Sequence, residues 1–259
     1  MDRAVSTVLD VAICLLLVGV AIGTLTAAIP DDGRSSTVDG DPEAVSVATV
    51  TATVPAGGGR SAHGTLAQHL ARATVVGATL DGERLLVSRY PDATVAAVEN
   101  RTGDRVRVTT RWRPYPGAPI RGRLSAGPSP PSTADVAVTR LAVDSGVSAP
   151  RSSTGAFATA LARGFVDLLF PPERTRIRLV DPRTAASTAD RYRTAADTLG
   201  TDVEEPIGNA FPNRANERLA AEIAGRVEDD IDSGANGTDA VPPEAAPGAV
   251  EIVVRRWEP

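Results

Sequence analysis

The chain has 259 residues and a net charge of −5, from 27 basic and 32 acidic side chains. Mild acidity argues against nucleic-acid binding, which needs a clustered basic surface. The single cysteine, Cys14, excludes an intramolecular disulfide and a cysteine-based metal site, so a folded domain here must be stabilised by its own apolar core.

The first element is an uncharged run of nineteen residues, Val11–Ile29. A bilayer core about 30 Å thick needs roughly 20 helical residues, so the run predicts a single transmembrane helix that ends at Pro30. Only residues 1–10 precede it, which favours a cytoplasmic N-terminus and an extracellular C-terminal part. The alternative is a cleaved secretory signal ending at Thr26–Ala28, but the apolar run is longer than the usual signal core.

A stripe of small residues follows one face of this predicted helix: Gly19, Gly23 and Ala27. Small residues at this spacing let a second helix approach closely, although glycine is also common in membrane helices that do not pair. Asp10 lies at the mouth of the run, where it either sits at headgroup depth or pairs with a cation of a neighbouring subunit. The expected partners are therefore membrane lipid and other membrane helices.

The segment Arg3–Val11, RAVSTVLDV, resembles the start of archaeal type IV pilins, which have a short basic leader, a small residue at the cleavage point and then an apolar helix. The resemblance implies cleavage before the apolar stretch by a prepilin peptidase, with the helix kept for packing in a filament or platform. The processing site that it implies consists of Arg3, Ala4 and Val5.

Two features depart from the commonest pilins. Thr7 and Asp10 stand where those proteins have Pro and Gly, and the helix stops at Pro30 instead of continuing into an amphipathic half. Both features suit a minor or pilin-like protein better than a major filament subunit. The whole chain also resembles uncharacterised membrane-anchored proteins of halophilic archaea that are encoded near such secretion or pilus systems.

The rest of the chain predicts a polar juxtamembrane linker at residues 30–43 and one extracytoplasmic α+β domain at residues 44–259. Strands are predicted at Ala44–Val54, Arg105–Trp112, Asp135–Val143, Arg174–Val180 and Glu251–Trp257. Helices are predicted at Thr65–Thr79, Asp92–Glu99, Thr154–Phe170, Thr184–Leu199 and Asn213–Ile231. The second and third strands are expected to pair across a proline-rich loop at residues 114–132. Residues 57–59 predict a flexible break, and residues 232–248 an acidic flexible loop.

Signatures of catalysis are missing. His63 and His69 lack the helical spacing of a zinc protease, and the glycine-rich stretch at residues 57–59 is not followed by the lysine of a phosphate loop. The acidic residues at 228–232 follow one another along a helix end, so they point in different directions and predict a solvated face. We therefore expect a non-enzymatic protein without a cofactor.

One predicted strand carries alternating cations beside two aromatic residues. The expected partner face consists of Arg105, Arg107, Arg111, Trp112, Arg113 and Tyr115. It suits an acidic partner, a polysaccharide or a lipid headgroup, unless it is simply a charged outer surface. The sequence thus favours a single-pass pilin-like or accessory subunit of an archaeal type IV pilus or secretion apparatus; the alternative is an anchored binding module that uses this face.

Overall fold

The computed structural model describes residues 41–57, 60–234 and 240–258. Its helices are α1 (Pro42–Thr49), α2 (Leu66–Val76), α3 (Tyr90–Glu99), α4 (Thr154–Leu169), α5 (Pro172–Val180), α6 (Ala185–Leu199), α7 (Glu204–Gly208) and α8 (Pro212–Gly234). Its strands are β1 (Thr51–Gly57), β2 (Arg60–Thr65), β3 (Thr79–Leu80), β4 (Glu83–Arg84), β5 (Val106–Trp112), β6 (Ile120–Ala126), β7 (Val136–Asp144) and β8 (Ala249–Trp257). The predicted transmembrane helix and its leader lie outside the described residues.

Six strands form one sheet in the order β4-β3-β6-β5-β8-β7, and all neighbours in it are antiparallel. Strands β1 and β2 form a separate hairpin. The prediction of a mixed α+β fold is therefore confirmed. Strand β8 follows every other strand in sequence, yet it lies between β5 and β7.

The inner face of the sheet is apolar because its buried residues alternate along each strand. Val108, Trp112 and Ile120 are at most 1 % exposed. Helix α2 contacts β5, β6, β7 and β8. Thr65 caps its start: the hydroxyl accepts a hydrogen bond from the Gln68 amide, and the Gln68 side chain accepts one from the Thr65 amide.

Helices α4 and α8 pack along each other and complete the core. Their buried residues include Phe157, Leu161 and Phe165 on α4 and Leu219, Ile223 and Val227 on α8. The ring of Phe165 stacks on Trp112 of the sheet at 5.7 Å between centroids. One large apolar core therefore joins the sheet to the helical layer.

One predicted strand is a helix instead, and another is a helix in its first half. Residues 44–54 contain α1 followed by β1, because Asp41 caps the helix by accepting from the Glu43 amide and Pro42 occupies its first turn. Helix α1 thus starts at Pro42, within the segment predicted as linker. Residues 174–180 belong to α5, which likewise starts at a proline, Pro172. In both segments the alternation of apolar residues was outweighed by the helix start signal.

The proline-rich segment at residues 114–132 is not only a loop, since it contains β6. Strand β5 pairs with β6 and β8, so the predicted pairing of residues 105–112 with residues 135–143 is wrong. Strand β7 instead pairs with β8. The other predicted helices and strands are confirmed, with ends shifted by a few residues.

The predicted acidic loop at residues 232–248 begins later than expected, because α8 continues to Gly234. Within residues 240–248 the chain is fixed by hydrogen bonds to the sheet. The Trp112 indole donates to the Pro247 carbonyl at 2.8 Å, and the Ala246 amide donates to the Pro114 carbonyl at 2.7 Å.

Candidate anion-binding site

The outer face of the six-stranded sheet carries a set of arginine side chains, which we call the arginine face. Residues directly opposite each other on neighbouring strands share a face, so the register of the sheet defines the set. Its members are Arg84, Arg107, Arg111, Arg121, Arg123, Arg140 and Arg255, together with Arg113 just after β5. Arg107 and Arg255 are half-buried, and the others are exposed.

At the β4 side of this face lies a cavity of about 390 Å³, which we call the arginine pocket. Five arginines line it: Arg84, Arg111, Arg113, Arg121 and Arg123. Thr79 adds a hydroxyl, and none of the described lining residues is acidic. The pocket therefore concentrates positive charge in a protein whose net charge is negative.

Among the described residues, no carboxylate pairs with the pocket arginines. Glu251 lies opposite Arg111 in the strand register, but its carboxylate faces Arg140 at 3.7 Å. The guanidinium donors of the pocket are thus left for solvent or a ligand.

The register also places like charges directly opposite each other. Arg111 faces Arg123 across β5 and β6, and Arg107 faces Arg255 across β5 and β8. Like charges at such positions are destabilising, because their Cβ atoms are only about 5 Å apart. Arg107 and Arg255 are partly occupied by hydrogen bonds to the hydroxyls of Ser129 and Thr109, whereas Arg111 and Arg123 have no such partner among the described residues.

Close packing behind the pocket holds its strands in place. Gly122 separates Arg121 from Arg123, and a Cβ added to it would lie 2.2 Å from the Thr74 carbonyl oxygen of α2. Only glycine allows this close approach of helix and strand. The two arginines consequently leave β6 on the outer face at a position that the helix fixes from the inner face.

The two aromatic residues of the predicted partner face are buried, although Trp112 is among the residues that line the pocket. Trp112 and Tyr115 are 0 % and 2 % exposed, because strand alternation turns Trp112 away from its neighbours Arg111 and Arg113. The Tyr115 hydroxyl donates to the Asp230 carboxylate of α8 at 3.0 Å. Burial raises the pKa of Tyr115 well above its ordinary value, and the Asp230 carboxylate raises it further. Both aromatic residues support the site from within the core.

The structure separates the predicted arginines into groups. Arg111 and Arg113 line the pocket. Arg105 is exposed just before β5, outside the pocket lining, and Arg107 donates to Ser129. Arg84, Arg121 and Arg123 are not among the predicted site residues. The alternating segment IRGRLSA at residues 120–126 is the signal for two of them, but it lies among prolines that predict a loop.

The two histidines lie apart and have protein partners. His63 is hydrogen-bonded to the Thr53 hydroxyl at 2.8 Å across the β1–β2 hairpin. His69 is buried between the Tyr90 hydroxyl and the Ala52 carbonyl, at 2.7 and 3.0 Å. Within the described ranges, no three His, Cys, Asp or Glu residues are grouped as metal ligands.

The other predicted site residues belong to the N-terminal segment of the chain. Arg3, Ala4 and Val5 of the processing site and Gly19, Gly23 and Ala27 of the packing stripe lie outside the residues that the structure describes. Among the helices that it does describe, none combines the length and the apolarity needed to cross a bilayer.

Comparison with curated proteins gave no match, and comparison with solved structures gave none either. Residues 9–257, nearly the whole chain, match a family described as "Family of unknown function (DUF7284)". The chain therefore belongs to the DUF7284 family.

Proposed function

We propose that the protein is a non-enzymatic, membrane-anchored binding module whose arginine face holds a polyanionic partner outside the cell. One observation carries the proposal: five arginines surround a cavity that has no acidic lining residue in the described chain. Guanidinium groups bind carboxylate, sulfate and phosphate oxygens with paired hydrogen bonds, and they remain charged at any physiological pH.

The extent of the face favours a polymer over a single small ion. Its arginines are spread over strands from β4 to β7, and six strands spaced about 4.8 Å apart cover roughly 24 Å. A ligand that reaches from the arginine pocket to Arg107 and Arg255 on β5 and β8 must therefore carry several negative charges along its length. Among the expected partners, an acidic polysaccharide fits this requirement best.

The test measures binding of the full chain, held in detergent, to two probes: the polysulfated glycan heparin and the polycarboxylate polygalacturonate. We expect binding that weakens as salt increases, because each contact releases counterions. The double variant R111S/R123S should bind at least about tenfold more weakly, since each lost charge-assisted hydrogen bond contributes about 1.5 kcal/mol or more.

A charge-matched control separates the site from the general charge of the protein. R72S/R163S removes two exposed arginines from α2 and α4, outside the arginine face. This control should retain the affinity of the unaltered chain. Equal weakening by both double variants, or no binding of either probe, would contradict the proposal.

We also propose that the chain takes part in an archaeal type IV pilus or secretion apparatus as a pilin-like or accessory subunit. The sequence features that favour this are the segment Arg3–Val11 and the stripe of Gly19, Gly23 and Ala27. Mass spectrometry of the mature protein tests it, with a first residue of Val5 expected. An intact Met1, or a start near Ile29, would contradict this second proposal.

A further inference from the structure

A second surface, on the helical side of the domain, exposes large apolar side chains. We call it the α5 patch and define it by Ile177 and Val180 of α5 and Phe211 at the start of α8. Their exposed fractions are 68 %, 67 % and 49 %. The other three phenylalanines of the chain are at most 2 % exposed, so Phe211 is exceptional in this protein.

The backbone beside Phe211 is strained. Ala210, which joins α7 to α8, has a φ of 53°, in the left-handed region that alanine rarely adopts. The turn leaves Phe211 at the surface, where it and Ile177 line a groove of about 570 Å³. The guanidinium of Arg214 lies 5.3 Å from the centre of the Phe211 ring, within the range of a cation–π contact.

Three exposed arginines lie near these apolar side chains, and one exposed acidic residue, Glu173, also lines the groove. Arg174 and Arg176 are exposed on α5, and Arg214 is exposed one turn into α8. None of the three forms an ion pair with a carboxylate in the described part of the chain. Apolar tips among guanidinium groups are the composition of a surface that lies on an anionic bilayer.

We infer that the α5 patch rests on an anionic lipid surface, with Phe211, Ile177 and Val180 at the boundary of headgroups and acyl chains. The arginines then lie at the level of the lipid phosphates. This inference rests on the proposed membrane anchor, because Val11–Ile29 precedes the domain by only residues 30–40. A tether of that length keeps a membrane surface at high effective concentration.

The size of the patch favours lipid over a protein partner. Helix α5 has nine residues, which corresponds to about 13 Å of helix. A stable protein interface buries about 1,200 Å² or more in total, which so short a helix and one phenylalanine do not provide. A small contact is enough, however, for a domain that is already tethered beside the bilayer.

The experiment places a fluorescent probe in the patch. The Phe211→Trp variant of the full chain is reconstituted in phosphatidylcholine vesicles with phosphatidylglycerol, and brominated lipid serves as the quencher. The native Trp112 and Trp257 are 0 % and 7 % exposed and supply a constant background. Val87→Trp is the matched control, since Val87 is 83 % exposed and lies between β4 and α3.

We expect brominated lipid to quench the Phe211→Trp signal at least about twofold more than the Val87→Trp signal. Adding R174S and R176S to Phe211→Trp should reduce quenching in anionic vesicles and leave it unchanged in pure phosphatidylcholine. Circular dichroism confirms that each variant is folded. Equal quenching of the Phe211 and Val87 probes would overturn the lipid contact.

A separate measurement tests the anchor. Reconstituted vesicles are washed at alkaline pH and floated, and the chain should remain with the lipid. Suppose that the probe at position 211 is quenched before the wash and that the wash then removes the chain from the lipid. This result contradicts the membrane anchor and supports the lipid contact of the α5 patch. If the chain floats with an unquenched Phe211 probe, the anchor is supported and the patch is overturned.

Discussion

The two faces of the six-stranded sheet use the same strands for opposite purposes. On the inner face, Val108 and Trp112 of β5 are buried beneath the helices. On the outer face, Arg107 and Arg111 of the same strand face other arginines directly. Burial of the inner face stabilises the folded state, whereas we expect the two directly opposed arginine pairs of the outer face to destabilise it.

Some arginines elsewhere in the domain do have acidic partners. On the helical side, Arg193 pairs with Glu204 at 2.7 Å, and Arg218 pairs with Glu205 at 3.1 Å. Hydrogen bonding to Arg193 lowers the pKa of Glu204 below its ordinary value. This fold can therefore supply carboxylates to arginines, and the pocket is a place where it does not. A surface kept at a cost in stability is typical of a functional site.

The largest expected effect lies on the inner face. Trp112→Ala removes a fully buried ring that stacks on Phe165 and donates to the Pro247 carbonyl. We expect the free energy of unfolding to fall by about 3–5 kcal/mol, as measured by urea denaturation. Arg111→Ala, the adjacent position on the opposite face, should not lower it. A similar loss in both variants would remove the distinction between the faces.

Gly122→Ala tests how closely the two faces are connected. The new Cβ would meet the Thr74 carbonyl, so α2 or β6 must move, and we expect a loss of about 1–3 kcal/mol in the free energy of unfolding. Gly225→Ala is the control, because its Cβ meets nothing within 4 Å inside α8 and should stabilise the helix by about 0.5–1 kcal/mol. If Gly122→Ala also stabilises the protein, the close approach is not real.

Alkaline pH should lower the free energy of unfolding through the buried tyrosines. Burial raises the pKa of both Tyr115 and Tyr192 above the ordinary value of 10.0. Above pH 10 the unfolded chain loses these protons before the folded one, so the free energy of unfolding falls as pH rises. Thermal unfolding from pH 9 upward should show this decline, and phenolate absorbance should appear together with unfolding. Ionisation of all three tyrosines in the folded protein near pH 10 would contradict it.

The smallest effect has the opposite sign. Arg123→Ser removes one member of the Arg111–Arg123 pair, and we expect the free energy of unfolding to rise by about 0.2–1 kcal/mol at low salt. High salt should abolish the gain, because it screens exposed charges. The same variant should bind heparin more weakly. A loss of stability together with a loss of binding would mean that Arg123 has a structural role.

The sequence was most informative where one local signal dominated. Apolar residues every three or four positions predicted α8, and alternation predicted β5 and β8. The sequence pattern gave wrong predictions where two signals competed. Alternating valine, isoleucine and leucine predicted strands, but helices start at Pro42 and Pro172. Prolines around Ile120–Ala126 likewise obscured a real strand.

The candidate site was only partly predictable for a different reason. Arg111 and Arg113 could be chosen from one strand, but Arg84 and Arg121 join them only through pairing across β4, β3 and β6. Such pairing depends on sheet order, which a linear pattern does not contain. The burial of Trp112 follows from the same alternation that exposes Arg111, and could have been predicted.

Strand β8 lies between two strands that are synthesised long before it. During synthesis, β5 and β7 emerge from the ribosome more than a hundred residues before the strand that joins them, as in the pairing of Thr109 with Val253. Until Ala249–Trp257 arrives, the two halves of the sheet have no common neighbour. The complete six-stranded sheet therefore cannot form until Ala249–Trp257 has been synthesised, and its assembly depends on contacts between residues far apart in sequence.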